Sequence, residues 1–138
     1  MKKILIKNAK IITVTGISLG ELLVQDGKIK EIGRDIEVSS DTHVMDAQGL
    51  YLAPGFIELH THGAGNSDFM DGSLEDIYKV CETQLNYGVT SIVPTSITST
   101  KESLLELVDL FNQVDLEREG YPRILGLHLE GPYFAFNQ

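Results

Sequence analysis

The stretch that decides the fold runs from Pro54 to Gly63 and reads PGFIELHTHG. Pro-Gly is a turn pair, and the apolar run after it is short, as expected of a strand buried on both faces. Residues i and i+2 of an extended chain point to the same side, so His60 and His62 could reach one metal ion. They also end the strand, where α/β folds place their active sites. An H-x-H pair is weak evidence alone, and one packed plus one solvated histidine remains an alternative.

The chain that follows alternates helical and extended patterns. Ser73 is a good N-cap for a helix that Gly88 would end, and residues 89–93 form a second buried-type strand. Pro94 is expected to end the regular pairing of that strand. A second helix would be capped by Ser99 or Thr100, with a third strand from Arg123 to Glu130. This order predicts βαβ units and a parallel sheet.

Cys81 lies on the apolar face of the first predicted helix, which indicates a core position rather than a reactive thiol. It is the only cysteine, so no internal disulfide can form and nothing marks a secreted, disulfide-stabilised protein.

The chain before Pro54 reads as β structure. Residues 4–6 and 11–15 are β-branched stretches separated by a polar turn at residues 7–10, and residues 44–47 and 50–52 supply further extended pieces. Residues 21–25 and 28–32 flank Asp26-Gly27, a strong hairpin signal because both central residues of a type I′ turn need positive φ. No helical pattern of useful length appears before residue 70. We therefore predict two domains, 1–53 and 54–138.

Charge divides in the same place. The formal net charge is −9, yet residues 1–50 carry seven basic and seven acidic groups, so the whole excess lies in residues 51–138. The acidic balance argues against nucleic acid or an anionic membrane as a partner. No apolar stretch approaches a membrane span or a signal sequence, which predicts a cytoplasmic protein. A length of 138 residues suits one domain but not a closed (β/α)₈ barrel, which needs roughly 250 residues.

The stretch around His60 resembles the first-strand signature of the amidohydrolase superfamily, metal-dependent hydrolases built on (β/α)₈ barrels. Three further stretches resemble the N-acetylglucosamine-6-phosphate deacetylase family: DFMD at 68–71, GVTSIVPT at 88–95 and GLHLEGPY at 126–133. The resemblance runs to Gln138, and HLEGP is its most specific element. It implies an α/β fold: an N-terminal β segment of a small β-sandwich, then the first three strands and two helices of an incomplete (β/α)₈ TIM-type barrel.

The resemblance also implies a metal site. The glutamate that matches Glu130 is a metal ligand in the deacetylases and can bridge two ions, so His60, His62 and Glu130 are the expected ligands. The cofactor would be one or two divalent ions, zinc or iron, which suit neutral imidazole. His128, two residues before Glu130, could orient the carboxylate, contact substrate, or be a hydrogen-bonded core histidine.

Four other residues lie near strand ends or beside the expected ligands. Glu58 could lie beneath the metal, although a structural role is the stronger interpretation. Asn66, Thr95 and Ser96 lie near strand ends and could line the pocket.

The implied reaction is hydrolysis of N-acetylglucosamine 6-phosphate to glucosamine 6-phosphate and acetate. The family's catalytic aspartate and its two other metal-binding histidines match positions beyond Gln138, so no catalytic residue is expected here and the chain alone should be inactive. The basic residues of the barrel part are in helices or near the amino end of the third strand: Lys79, Lys101, Arg118 and Arg123. The phosphate site would then come from further chain or from the partner subunit of a homodimer. The alternatives are a non-catalytic truncated β/α module, or another amidohydrolase such as a dihydroorotase or isoaspartyl dipeptidase.

Overall fold

The computed structural model describes residues 2–133. The chain divides into two compact units, Met1–Pro54 and Gly55–Gln138. Residue 1 of the first predicted domain and residues 134–138 of the second, which also end the stretch of family resemblance, lie outside the described residues. The architecture is mixed α/β.

The first unit is a five-stranded sheet in which β1 is central. Its strands are β1 (Lys3–Thr13), β2 (Gly16–Gln25), β3 (Lys28–Gly33), β4 (His43–Asp46) and β5 (Tyr51–Leu52). The order is β3-β2-β1-β4, with β5 also on β1; β1–β2 and β2–β3 are antiparallel, while β4 and β5 run parallel to β1. Two small clusters of buried side chains lie against this sheet: Leu5, Leu23 and Ile36, and Ala9, Ile11 and Leu22.

The β2–β3 hairpin turns at Asp26-Gly27, as the sequence predicts. Both residues have positive φ, 51° and 76°, and Gln25 pairs directly with Lys28. The predicted turn at residues 7–10 is wrong, because β1 runs straight through it. The polar residues form an irregularity between Ile6 and Ala9, centred on Asn8 with φ 55°. The halves of β1 on either side keep their partners, so the extra length is absorbed as a bulge rather than a reversal.

The second unit places β9 at the centre of a parallel sheet. Its elements are β6 (Phe56–Thr61), β7 (Gly63–Ala64), β8 (Ser67–Asp68), α1 (Leu74–Asn86), β9 (Val89–Ser96), α2 (Lys101–Phe111), β10 (Arg123–Ile124) and β11 (His128–Leu129). β6, β10 and β11 each pair parallel to β9, while β7 and β8 form a separate antiparallel pair. The predicted alternation of strands and helices is present.

Local signals begin and end the helices where the sequence predicts. The Ser73 hydroxyl accepts a hydrogen bond from the Asp76 amide at 3.1 Å, and Gly88, with φ 87°, follows the end of α1. Of the two predicted caps for α2, Thr100 is the one used, accepting from the Ser103 amide at 3.2 Å.

Two predicted strands differ in extent, both because of irregular pairing. The second predicted strand continues past residue 93 to Ser96, so Pro94 does not end β9. Its regular pairing with β6 does break there, as predicted, because the ladder shifts register between Glu58 and Thr61. The third strand is two short pieces, β10 and β11. Arg123 pairs with Ser91 but His128 with Thr95, so the third strand carries one residue more than β9 between the pieces. This is the signature of a bulge.

The core of the second unit lies between the sheet and α1. Phe69, Ile77, Val80, Cys81 and Ile92 are each no more than 1 % exposed. Cys81 is a core residue, as predicted, and burial raises the pKa of its thiol to about 11. Within residues 2–133, no helix has both the length and the apolar composition needed to cross a membrane.

Candidate metal centre

The carboxyl ends of β6, β9 and β11 bring the predicted site residues together. His60 lies in the last two residues of β6, His62 directly follows that strand, and Glu130 directly follows β11. The ladders pair Thr61 with Pro94 and His128 with Thr95, so the three strand ends lie side by side on one edge of the sheet. Parallel pairing therefore brings His60 and Glu130 into contact, although they are 70 residues apart in the sequence.

Three ligand atoms, one from each of His60, His62 and Glu130, lie within 4.8 Å of one another. The Nε2 of His60 is 2.8 Å and the Nε2 of His62 is 3.4 Å from the same carboxylate oxygen, Oε2 of Glu130. Ligand atoms about 2.0–2.2 Å from a tetrahedral zinc ion stand roughly 3.3–3.5 Å apart. The His62–Glu130 separation of 3.4 Å matches this spacing, and the His60–Glu130 separation of 2.8 Å would have to widen.

A hydrogen bond between His62 and the backbone of Thr95 makes this arrangement suited to a cation. Its Nδ1 lies 3.3 Å from the backbone oxygen of Thr95, and a carbonyl only accepts, so this nitrogen carries the proton. A neutral His62 then directs the lone pair of Nε2 toward the Glu130 oxygen. In that form the Nε2 lone pair and the Glu130 oxygen, 3.4 Å apart, would both be available to one cation. Two imidazoles and a carboxylate could hold a divalent metal such as zinc or iron.

The site is open to solvent on the side away from the sheet. The side chains of His60, His62 and Glu130 are 51 %, 34 % and 34 % exposed. An ion on these three groups alone would keep free coordination positions, open to water, substrate or ligands from further chain.

Hydrogen bonds to the backbone support the carboxylate and the first histidine. The Glu130 amide donates to the hydroxyl of Ser96 at 3.1 Å, and the Glu130 carbonyl accepts from Thr98 at 3.4 Å. Glu58 contacts the site only indirectly: its carboxylate accepts from the His60 amide at 2.9 Å, which supports the structural interpretation.

The remaining predicted site residues lie at different depths. The His128 ring centroid is 5.1 Å from that of His60, and its Nδ1 is 3.4 Å from the hydroxyl of Thr95. Thr95 and Ser96 are fully buried, so they support the site from beneath instead of lining a pocket. Asn66 supplies a positive φ of 61° to the turn between β7 and β8.

Sequence reasoning missed the supporting role of the two hydroxyl residues that end β9. A signal was present, because Thr95 and Ser96 are adjacent polar residues at the end of a strand otherwise typical of a buried one. Buried hydroxyls need hydrogen-bond partners, and here the partners belong to the site.

The arginines of the second unit are engaged away from these strand ends. Arg118 stacks on the rings of Tyr78 and Tyr121, at 4.2 and 4.6 Å from the ring centroids. Arg123 pairs with Glu117 at 2.9 Å, and in the ladder it stands beside Ser91, toward the amino end of β9. The sequence-based expectation that these cations lie away from the site agrees with this placement.

No family model matches the chain. Individual proteins do match it, and several of them are N-acetylglucosamine-6-phosphate deacetylases. The chain is 27 % identical to the N-acetylglucosamine-6-phosphate deacetylase of Lysinibacillus sphaericus over 140 residues, 96 % of this chain and 34 % of that protein. It is 30 % identical to that of Caenorhabditis elegans over 137 residues, 93 % of this chain and 32 % of that protein. A D-hydantoinase from Geobacillus stearothermophilus is 34 % identical over 115 residues, 78 % of this chain and 22 % of that protein.

Solved structures give the same result. The deacetylase from Pasteurella multocida superposes with a TM-score of 0.84 at 32 % identity, over 98 % of this chain and 36 % of that one. The L-hydantoinase from Arthrobacter aurescens gives 0.57 at 25 % identity, over 82 % of this chain and 26 % of that one. The chain spans about a third of the length of the deacetylases it matches. The predicted resemblance to these deacetylases, hydrolases that act on amide bonds, is confirmed, and the coverage is consistent with an N-terminal portion.

Proposed function

We propose that this chain is the N-terminal portion of a metal-dependent N-acetylglucosamine-6-phosphate deacetylase, with His60, His62 and Glu130 as ligands of its divalent metal. The observation that carries the proposal is the convergence of their three ligand atoms within 4.8 Å at the ends of neighbouring parallel strands. Deacetylase relatives that match nearly the whole chain support it.

The proposal includes the architecture of the complete protein. The sheet of β1–β5 would be part of a small β-sandwich, and β6, β9 and the paired pieces β10 and β11 would be the first three strands of a (β/α)₈ barrel. In such barrels the active site is built at the carboxyl ends of the strands, which is where the three ligands lie. The full protein would act in the cytoplasm as a homodimer.

In the proposed reaction, water adds to the acetamide carbonyl, the C–N bond breaks, and the amine leaves with a proton as acetate forms. A bound divalent metal supplies acidification of water and polarisation of the carbonyl. His60 and His62 would hold the metal through their Nε2 atoms, and Glu130 would contribute a negatively charged oxygen. Ser96 and Thr95 hold these groups at the strand ends. The family's general base, an aspartate, would come from chain beyond Gln138.

Recognition of the phosphate needs residues other than the two arginines of the second unit. A phosphate is bound by Arg, Lys or His donors, but Arg118 and Arg123 are held by aromatic rings and Glu117 away from the site. We propose that the phosphate group is bound by further chain or by the partner subunit.

Hydrolysis of a cyclic amide is the second candidate activity. It is supported by the 34 % identity to a D-hydantoinase over 78 % of this chain. The deacetylase match extends over more of this chain, and its TM-score is higher, 0.84 against 0.57 for the hydantoinase. Deacetylation is therefore our first choice. A non-catalytic module and a dihydroorotase or dipeptidase remain as rivals.

A complementation experiment tests the proposal. The chain is co-expressed with the part of the Pasteurella multocida deacetylase that it does not match, and acetate release from N-acetylglucosamine 6-phosphate is compared with ring opening of hydantoin. The control pairs the same part with that enzyme's own N-terminal portion. We expect acetate release that requires His60, His62 and Glu130; ring opening instead, or activity unchanged by His62→Ala, would contradict the proposal. The chain alone, with zinc or iron, should not release acetate.

A further inference from the structure

Thr95 occupies an unusual position beneath the metal centre. It is fully buried at the carboxyl end of β9, and its polar atoms contact side chains from both neighbouring strands. Its backbone oxygen lies 3.3 Å from Nδ1 of His62, and its hydroxyl lies 3.4 Å from Nδ1 of His128. Thr95 therefore contacts the Nδ1 atom of both His62 and His128.

The hydroxyl proton of Thr95 is already committed. Its Oγ1 donates to the backbone oxygen of Val93 at 3.2 Å, and a hydroxyl has a single proton to donate. Toward His128 the hydroxyl can therefore only accept, so Nδ1 of His128 must carry the proton of that contact. The carbonyl of Thr95 can likewise only accept from His62. Both of the polar groups that Thr95 presents to histidines demand a proton on Nδ1.

We propose that Thr95 is a positioning residue that sets the tautomer of two histidines, holding both His62 and His128 with the proton on Nδ1 and the lone pair on Nε2. The significance for His62 rests on the proposed function, because a metal ligand must present that lone pair. For His128 the consequence is independent of any metal. While neutral, its Nε2 accepts hydrogen bonds and cannot donate them.

This assignment restricts what His128 can do near the site. Its ring lies beside that of His60, with centroids 5.1 Å apart. A hydroxyl, an amide N–H or a water can donate to its free nitrogen, whereas a substrate carbonyl or phosphate oxygen cannot be bound there by a neutral ring. His128 is thus assigned the role of an acceptor for a donor group.

Nitrogen NMR of the histidine rings tests the tautomers directly. The metal-free, ¹⁵N-labelled chain is examined at alkaline pH, on the plateau where the ring nitrogen shifts no longer change with pH. His62→Gln and His128→Gln variants assign the signals. We expect a protonated Nδ1 and an unprotonated Nε2 for His128 in the unmodified chain, and for His62 in a Glu130→Ala variant, where no carboxylate competes for the ring proton. A proton on Nε2 of either ring overturns the proposal for that residue.

Two variants separate hydrogen bonding from packing. Thr95→Val keeps the shape and removes the hydroxyl, while Thr95→Ser keeps the hydroxyl and removes a methyl group from a buried position. We expect valine to raise the population of the Nε2–H tautomer of His128 by about two- to tenfold, because one hydrogen bond is lost. The tautomer of His62 should not change, because its partner is the backbone oxygen of Thr95. Serine should leave both tautomers as they are. The opposite pattern, with serine perturbing and valine silent, would show a packing role and overturn the proposal.

The same samples keep this inference distinguishable from the proposed function. The tautomers are measured without metal or substrate, so they report only on the hydrogen bonds made by the protein itself. A zinc titration of the unmodified chain then tests the metal site. Zinc failing to bind although both histidines carry the expected tautomer would contradict the proposed function alone.

Discussion

Replacing Glu130 with glutamine removes the only negative charge among the three proposed ligands while preserving the shape of the side chain. The backbone should stay in place, because the Glu130 amide is held by Ser96 at 3.1 Å and that contact does not involve the carboxylate. His60 and His62 remain to bind an ion. The variant therefore reports the contribution of one charge to metal affinity.

The exposure of the site sets a lower limit for the effect. The Glu130 side chain is 34 % exposed, so the dielectric of bulk water gives the weakest attraction the carboxylate could exert. With about 3 Å between a divalent ion and the centre of the carboxylate charge, that limit is about 3 kcal/mol. This corresponds to a loss of zinc affinity of at least about 100-fold.

Competition between the chain and a chromophoric chelator measures the zinc affinity of both forms. The matched control is Glu75→Gln, which makes the same change of net charge at an exposed position in the first turn of α1. We expect the control to stay within about threefold of the unmodified chain, since exposed charges are screened by salt. Equal affinities for the Glu130 and Glu75 variants would refute the reasoning that Glu130 is a ligand.

Three predictions concern the fold that carries the site. Ser73→Ala removes the cap of α1 and should lower the free energy of unfolding in urea by about 1 kcal/mol; NMR titration should show the pKa of Asp76, held low chiefly by the Ser73 hydroxyl, rising toward its usual value. An unchanged Asp76 pKa would contradict that contact. The Cys81 thiol, with its pKa raised from 9.0 to about 11, should carry about 100-fold less thiolate at pH 8 than in the unfolded chain, and thiol reagents should modify the native protein correspondingly slowly. Because the thiol pKa is higher in the folded state, the protonated thiol stabilises that state; this contribution is complete below pH 9 and is lost between pH 9 and about 11. Urea unfolding at pH 8 and pH 10 should show the decrease in the free energy of unfolding, and Cys81→Ala should remove this pH dependence. Gly65→Ala should destabilise the β7–β8 turn by about 1–2 kcal/mol, since φ is 63° and the new Cβ would lie 2.3 Å from the Thr83 hydroxyl oxygen; thermal unfolding of this variant, with Gly72→Ala as a control for positive φ without a close neighbour, separates the clash from the backbone strain.

Local features of the fold are readable from the sequence because their causes are local. Asp26-Gly27 sets a type I′ turn through the φ angles of two residues, and Ser73 and Gly88 bound α1 through contacts within a few residues. The bulge around Asn8 and the continuation of β9 through Pro94 were mispredicted. Both depend on what the neighbouring strands do, and a turn-like or strand-breaking residue does not contain that information.

For the site, the division is similar. Strand alternation in residues 56–62 indicates that His60 and His62 share one side. The family resemblance, not spacing, singles out Glu130. Their meeting depends on the register of β6 and β11 against β9, including the additional residue between β10 and β11. No pattern in the sequence specifies that register.

The sequence by itself determined the alternation of strands and helices after Pro54, the charge asymmetry, the pair of histidines and the resemblance that identifies the glutamate. These follow from residue type and short-range spacing. Only the tertiary structure decided that one oxygen of Glu130 faces both histidines, and that Thr95 and Ser96 hold these groups from beneath. The physical reason is that these contacts are made by backbone atoms and buried hydroxyls across strands, where the pairing of the sheet, rather than the identity of any one residue, sets which atoms meet.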